Sequence, residues 1–245
     1  MPVRFWNFAY SFKNTKGKPV FVPTAYTRRI AGELKPIVTA AVDFERHYYH
    51  FAKGAHIAAL HAHRENRFFG RIDLRNFFYS VGRNRVKAAL QEIGVPCAEH
   101  YAKWSTVRNP YDGPRYSLPY GFPQSPLLAT LVLRRSALGI ALDALPGEIM
   151  KSIYLDDIAV SSNDLGSLSD AFEQLKAAVG DANFDINDDK TREPSDQIDL
   201  FNCDLRHGST TVQTDRVEAF YARDPTPRGI AAFEGYREKI ADGNR

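Results

Sequence analysis

Asp73 closes a short apolar run at 68–74 (FFGRIDL), and Asp156-Asp157 lie between two further apolar runs, 149–155 and 158–161. Carboxylates at the ends of strands or at a hairpin tip sit on short side chains held by rigid backbone, which is the placement that metal coordination favours. Their oxygen atoms suit magnesium, an ion that keeps several waters and needs few carboxylates from the protein. Two such ions about 3.5–4 Å apart serve phosphodiester formation, one activating the attacking hydroxyl and one neutralising the triphosphate. An Asp-Asp pair is also an ordinary turn sequence, so its meaning rests on the elements that carry it.

Hydrophobic periodicity gives those elements. Residues 13–23 (KNTKGKPVFVP) read as a hairpin with a basic, Gly-containing turn, 28–41 and 54–66 as helices, 68–74 as a buried strand and 83–94 as a helix. Beyond a polar, Pro-rich loop at 109–119, Ser125 is placed as N-cap and Pro126 at the first position of a long helix ending near Pro146-Gly147. The runs flanking Asp156-Asp157 read as a β-hairpin with an acidic tip. Residues 168–179 then predict an amphipathic helix, 184–186 a strand, and 198–205 with 210–213 a further strand pair. This mixture predicts an α+β fold, an antiparallel sheet covered by helices on one face.

At 245 residues, 44% hydrophobic and 25% charged, the chain reads as one large domain or two closely joined subdomains. It shows no internal repeat, low-complexity tract or linker. The two cysteines, Cys97 and Cys203, have neither disulfide-framework nor zinc spacing, and no stretch approaches the roughly 20 apolar residues of a membrane span. A cytoplasmic protein without a membrane partner is the expectation. Charge is divided: residues 1–115 carry 19 Lys+Arg against 8 Asp+Glu, residues 116–245 carry 13 against 21. A basic first half is what phosphate contacts would use, although two solvated surfaces of opposite sign look the same in composition.

Tyr154-Leu155-Asp156-Asp157 resembles the Tyr-x-Asp-Asp motif of reverse transcriptases, and the chain is similar to that family, in order, from about Lys13 to Leu205. RIDLRNFFYSV at 71–81 resembles the first palm motif. The resemblance implies that Asp73, Asp156 and Asp157 are catalytic and, with the backbone carbonyl of Leu74, hold two Mg2+ ions for which Mn2+ can substitute. It also puts Phe78 under the sugar of the incoming nucleotide, where a bulky ring collides with a 2′-hydroxyl, and leaves Phe77 as a core aromatic. GFPQSPLLATL at 121–131 is similar to the second palm motif and implies that Gln124 contacts the forming base pair. Here Pro123-Gln124 runs straight into Ser125-Pro126, without the usual Pro-Gln-Gly and insert, which resembles abortive-infection and other defence-associated bacterial enzymes. NFDINDDKT at 183–191 resembles the motif whose lysine, Lys190, approaches the triphosphate, where it would act as a general acid. IDLFNCDL at 198–205 stands where the primer-gripping hairpin belongs, with Phe201-Asn202 in place of Phe-Leu-Gly. Lys13, Lys16, Lys18, Arg29 and Tyr154 are implied nucleic-acid or phosphate contacts, with Pro19 where relatives have an arginine, and His61 is an implied template contact or helix cap.

These likenesses imply a right-hand polymerase: a fingers-like segment at 1–70 with part of 82–120, a palm at 71–205, and a short C-terminal segment at 206–245. Only 40 residues follow Leu205, which implies a reduced or absent thumb, minimal or supplied by a protein partner, a second copy or a structured RNA. The activity implied is RNA-directed DNA synthesis from dNTPs on an RNA template, a dedicated noncoding RNA among the options, in bacterial antiviral defence of a retron-like or abortive-infection kind. The alternatives are template-independent or protein-primed DNA synthesis, or a partner-dependent RNA-binding and assembly subunit that keeps the fold without the chemistry.

Overall fold

The computed structural model describes residues 6–245. A hairpin of β1 (Phe8–Lys13) and β2 (Pro19–Pro23) comes first, turned by Asn14, whose Oδ1 accepts from the backbone N–H of Lys16 at 3.0 Å and of Lys18 at 2.9 Å. Helix α1 (Ala25–Ala41) is capped by the Thr24 hydroxyl, which accepts from the N–H of Thr27. Then follow α2 (Ala55–His63), β3 (Phe68–Asp73), α3 (Phe77–Ser80), α4 (Arg83–Glu92), α5 (Ala98–Trp104), and the short pair β4 (Val107–Arg108) and β5 (Tyr116–Ser117). Next are α6 (Ser125–Arg134), α7 (Ala137–Ala144), β6 (Met150–Tyr154), β7 (Asp157–Ser162) and α8 (Leu165–Asp181). The chain closes with β8 (Arg192–Ser195), β9 (Gln197–Leu200), β10 (Cys203–Arg206), β11 (Ser209–Val212), α9 (Thr214–Tyr221) and α10 (Pro227–Ala241).

Several boundaries differ from the sequence reading, each for a local reason. The helix expected to run from Ser125 to Pro146 is two helices, because at Ser136 the hydroxyl donates to the Leu133 carbonyl at 2.6 Å and competes with the next helical bond. Ser125 is not the N-cap: its hydroxyl is inside α6 and donates to Pro119 O at 2.7 Å, while Gln124 holds the cap position. The strand expected at 184–186 is a single bridge between Ile186 and Leu74. There the positive φ of Asn183 (53°) and the turn formed as Lys190 and Thr191 donate to Asn187 O break extended backbone on both sides. The run 198–205 is two strands, since Phe201 and Asn202 both take positive φ (54° and 61°), as a two-residue type I′ hairpin requires.

The chain forms two compact units. One comprises residues up to 44 with 76–140 and 179–185, and the other 45–75, 141–178 and 186–245. Residues 45–70, expected with the fingers-like segment, therefore belong with the main sheet. The cause is backbone pairing: Ile153 N donates to His47 O at 2.7 Å and Tyr48 bridges Ile153. Residues 206–245 are part of this unit as well, with Ile240 of α10 fully buried beside Leu60, Phe69 and Leu205.

The second unit is built on an antiparallel sheet ordered β6-β7-β3-β8. Register pairs Asp73 with Asp157, Arg71 with Ala159 and Phe69 with Ser161 across β3 and β7, and Tyr154 with Asp157 across β6 and β7. Because side chains alternate along a strand, Asp73, Arg71, Phe69, Asp157 and Tyr154 share one face. The opposite face receives α8: a Cβ on Gly70 would stand 2.8 Å from the Phe172 ring, so only glycine lets that ring lie on the strand. Helices were expected on one face alone; here the face bearing the aspartates is covered too, by α2 and by the sheet β11-β10-β9, whose Ile198, Leu200 and Leu205 pack on Phe69 and Ala159.

His63 pins α2 to this face. It is fully buried, with Nδ1 2.8 Å from Ser161 Oγ and Nε2 2.7 Å from Ser152 Oγ, one hydroxyl on each strand of the acidic hairpin. Burial pushes its pKa down to about 3, below the value near 6.5 of an unfolded chain. Stability from the neutral ring is therefore complete above about pH 6.5 and is lost as pH falls from there toward about 3, at up to about 1.4 kcal/mol per pH unit. His63→Gln is expected to flatten the pH dependence of unfolding free energy between neutrality and mild acid by about that slope; equal slopes for the two proteins in urea denaturation would contradict the assignment.

Candidate active site

The acidic tip is the two-residue connection Leu155-Asp156 between the paired residues Tyr154 and Asp157. Leu155 has φ of 61°, a left-handed conformation of the kind that costs a non-glycine residue about 1–3 kcal/mol. Tying the tip to β3, Leu74 N donates to Asp156 O at 2.9 Å. Asp73 and Asp157 thus face each other at the ends of neighbouring strands, with Asp156 in the turn just beyond the pair, beside Leu74.

Their charge is met from within the protein. Asp73, 2% exposed, accepts from Asn187 Nδ2 at 2.7 Å on one oxygen and pairs with Lys190 Nζ at 3.0 Å on the other. Its backbone is fixed as well, since Asn187 N donates to Asp73 O and Asp73 N donates to Thr191 Oγ1. One oxygen of Asp157 takes both Nε and Nη2 of Arg71, at 2.8 and 2.5 Å. The same guanidinium reaches Asp199 Oδ2 at 2.8 Å and lies 3.8 Å from Asp73 Oδ2, while Arg192 Nε holds the other oxygen of Asp199 at 2.5 Å. Burial pushes the Asp157 carboxyl above its ordinary value, and the Arg71 guanidinium offsets that rise only in part. Among the described residues no three acidic, imidazole or thiol side chains converge into a ready cation cage; Asp73 and Asp157 meet protein cations instead.

Of the residues named from sequence, this unit therefore unites Asp73, Asp156, Asp157, Leu74 and Lys190. Tyr154 stands on the same sheet face with its ring 5.4 Å from Phe201 and 6.0 Å from His56. His61 is engaged elsewhere: Nε2 donates to Ile240 O at 3.2 Å, which ties α2 to the end of α10. The other unit holds the rest. Phe78, 6% exposed, lies edge-on to Tyr120 with ring centres 4.9 Å apart. Gln124 is 2% exposed; its Nε2 donates to Ser105 Oγ at 3.2 Å, and its Oε1 is buried without a hydrogen-bond partner. Arg29 stacks on Tyr26 and pairs with Glu33, and Lys18 lies 5.3 Å from the Tyr120 ring centre. Lys13 and Lys16 are exposed on the first hairpin.

Sequence reasoning missed Arg71, Asn187 and Asp199. A signal for Arg71 existed, since a charge inside the apolar run FFGRID must find a counter-charge once buried. Asn187 and Asp199 had none, because asparagine and aspartate in turn-rich segments are ordinary surface residues.

The family described as reverse transcriptase (RNA-dependent DNA polymerase) matches residues 13–205. The chain belongs to the reverse transcriptase family. It is 28% identical to the retron Ec73 reverse transcriptase of Escherichia coli over 76% of this chain and 62% of that protein, so it spans about three-fifths of the curated relative. Its fold is similar to that of a foamy viral protease-reverse transcriptase solved in complex with double-stranded DNA, with a TM-score of 0.53 at 16% identity, covering 92% of this chain and 34% of that one. The α+β architecture is accordingly the palm and fingers of that fold.

Arg71→Leu removes the buried guanidinium that pairs with the half-buried Asp157 and Asp199 and is expected to lower unfolding free energy by about 3–5 kcal/mol in urea denaturation, the scale of a buried ion pair broken by loss of one partner. A loss under about 1 kcal/mol, typical of exposed pairs, would mean that water already solvates the cluster.

Proposed function

We propose that the chain is the catalytic core of an RNA-directed DNA polymerase that extends a DNA strand with dNTPs on an RNA template, through Asp73, Asp156 and Asp157. The observation that carries this reading is the pairing of Asp73 with Asp157 at the ends of β3 and β7, beside Asp156 at a strained tip, on one sheet face. The donor set is all oxygen and suits Mg2+, with Mn2+ as its substitute. Two such ions would activate the primer hydroxyl and neutralise the departing pyrophosphate.

In this reading Asn187 keeps one Asp73 oxygen oriented while Lys190, whose side chain is 45% exposed, leaves the other to meet the triphosphate and protonate the leaving group. Arg71 grips one oxygen of Asp157 and leaves the second available. Leu74 contributes its carbonyl, Phe78 excludes a 2′-hydroxyl, and the unpartnered Gln124 Oε1 is the group that the forming base pair would satisfy. Likeness to a retron reverse transcriptase supports RNA as template, and the contracted Pro-Gln-Ser-Pro segment supports a role in bacterial antiviral defence in the cytoplasm. No helix among the described residues is long and apolar enough to cross a membrane.

A second reading is favoured by the internal neutralisation of the site. If Arg71 and Lys190 never yield Asp157 and Asp73 to cations, the chain is a partner-dependent RNA-binding subunit. Incubation with magnesium, labelled dNTPs and an RNA template, followed by sequencing of the product, separates the two. Template-complementary DNA that vanishes in Asp156→Asn/Asp157→Asn is expected; a homopolymer would indicate untemplated synthesis, and RNA retention without product in either protein the subunit reading. Phe78→Val is expected to raise incorporation of ribonucleotides relative to deoxynucleotides at least about ten-fold, the usual value of a small steric difference in a pocket; an unchanged ratio would remove Phe78 from the gate.

A further inference from the structure

A cleft of about 350 Å3 opens between α4, the end of α6 and residues 181–183, all of them in the unit that carries the first hairpin. That volume lies at the small end of ligand sites. Ala88, Ala89, Ala137 and Ala182 line it, and the space exists because small side chains stand where larger ones would interdigitate between packed elements. Two arginines, Arg85 and Arg135, bring charge to these apolar walls. Neither is among the residues given a role in synthesis.

The two cations differ in how their charge is met. Arg135 pairs with Glu92. Half-buried Arg85 has no carboxylate partner among the described residues: its guanidinium lies 4.5 Å from the centre of the Phe184 ring, and its Nη1 donates to Asn183 O at 3.5 Å. Phe184 is itself buried and packs on Phe77, with ring centres 5.7 Å apart, so the surface on which the guanidinium rests is fixed. Burial pushes the Arg85 pKa down and no acidic group offsets it, yet a guanidinium stays charged at any ordinary pH. A planar fork held by a ring and short of acceptors suits a carboxylate, which it can grip at two points. Asp181 stands on the same cleft and Glu92 on Arg135, so a run of phosphates would meet carboxylates as well as cations; a single carboxylate needs only Arg85. Ser136 also lines the cleft, and one helical turn beyond it Ile140, whose N–H donates to Ser136 O at 3.0 Å, is 64% exposed, more than any other large hydrophobic residue described.

We propose that this cleft docks an acidic and apolar segment of a partner protein, with an aspartate or glutamate carboxylate on Arg85 and a neighbouring apolar side chain on Ile140. Charge complementarity selects the carboxylate, and the alanine walls receive the methylenes that carry it. Ile140 selects a peptide over a small free acid, because an acid that filled the cleft would leave Ile140 bare. The assignment does not rest on the polymerase reading and holds whether or not the chain makes DNA.

The test selects random peptides displayed on phage against the full chain and, in parallel, against Arg85→Gln. Peptides that depend on Arg85 are expected to share an acidic residue close to an apolar one. The consensus peptide, made with a fluorescent label and titrated by anisotropy, should bind about ten-fold or more weakly to Arg85→Gln, and equally weakly when its own acidic residue is replaced by the amide. The two changes together should cost little more than either alone, as expected of direct partners. Arg85→Lys keeps the charge without the fork and should recover only part of the affinity, while Ile140→Ser, a surface change, should weaken binding about three-fold or more. Replacement on the peptide alone keeps the test valid should a protein variant fold poorly. A selection that yields no Arg85-dependent peptide, a consensus without an acidic residue, or additive losses from the two changes would overturn the dock. So would displacement of the peptide by an equal concentration of glutarate, which would make the cleft a small-acid site, or by single-stranded RNA, which would give it to nucleic acid.

Discussion

A guanidinium buried under an acidic hairpin is the constraint around which the palm is arranged. Arg71 stands on a central strand, so its charge cannot reach water and must be met by carboxylates brought from elsewhere. Asp157 comes from the neighbouring strand, Asp199 from a sheet packed over the face, and Arg192 closes the chain of pairs on the far side of Asp199. Removing any member leaves an uncompensated charge, which explains why β3, β7, β8 and β9 hold one mutual arrangement at this point. The interaction also decides what the site can do. It opposes the pull of burial toward the protonated form of that carboxylate, and it leaves that carboxylate one oxygen.

Rigidity is distributed unevenly around this centre. The tip that carries Asp156 is a two-residue turn with a strained leucine, tied back to β3 by a backbone hydrogen bond, so its position is over-determined. Beneath it, His63 joins both strands of the hairpin to α2 through neutral, buried hydrogen bonds. Lys190 alone among the groups on Asp73 and Asp157 is substantially exposed. A fixed pair of carboxylates with one exposed cation is an arrangement in which charge can be exchanged without moving the backbone.

Electrostatics divide the two units. The one carrying the first hairpin has 15 Lys+Arg against 7 Asp+Glu, and the one carrying the aspartates has 17 against 22. The split seen along the sequence is therefore a split between folded bodies, which composition alone did not require. A basic body suits polyanion contact, and an acidic body carrying the paired aspartates is where the proposed cations would be held.

The sequence by itself determined the elements whose signals are local. Apolar runs bounded by turn residues marked β3, β6 and β7, and the aspartates at their ends were legible because strand ends and hairpin tips have their own chemistry. Ordered motifs carried the family. What only the tertiary structure decided was non-local. The break at Ser136 depends on a hydroxyl choosing one carbonyl over another, and the missing strand at 184–186 on turn chemistry that outcompeted pairing. Residues 45–70 and 206–245 joined the palm through contacts with residues far away in the chain. Arg71, Asn187 and Asp199 became partners of the aspartates because a sheet register and a packed second sheet brought them there, and one sequence read by itself contains no term for distance between its distant parts.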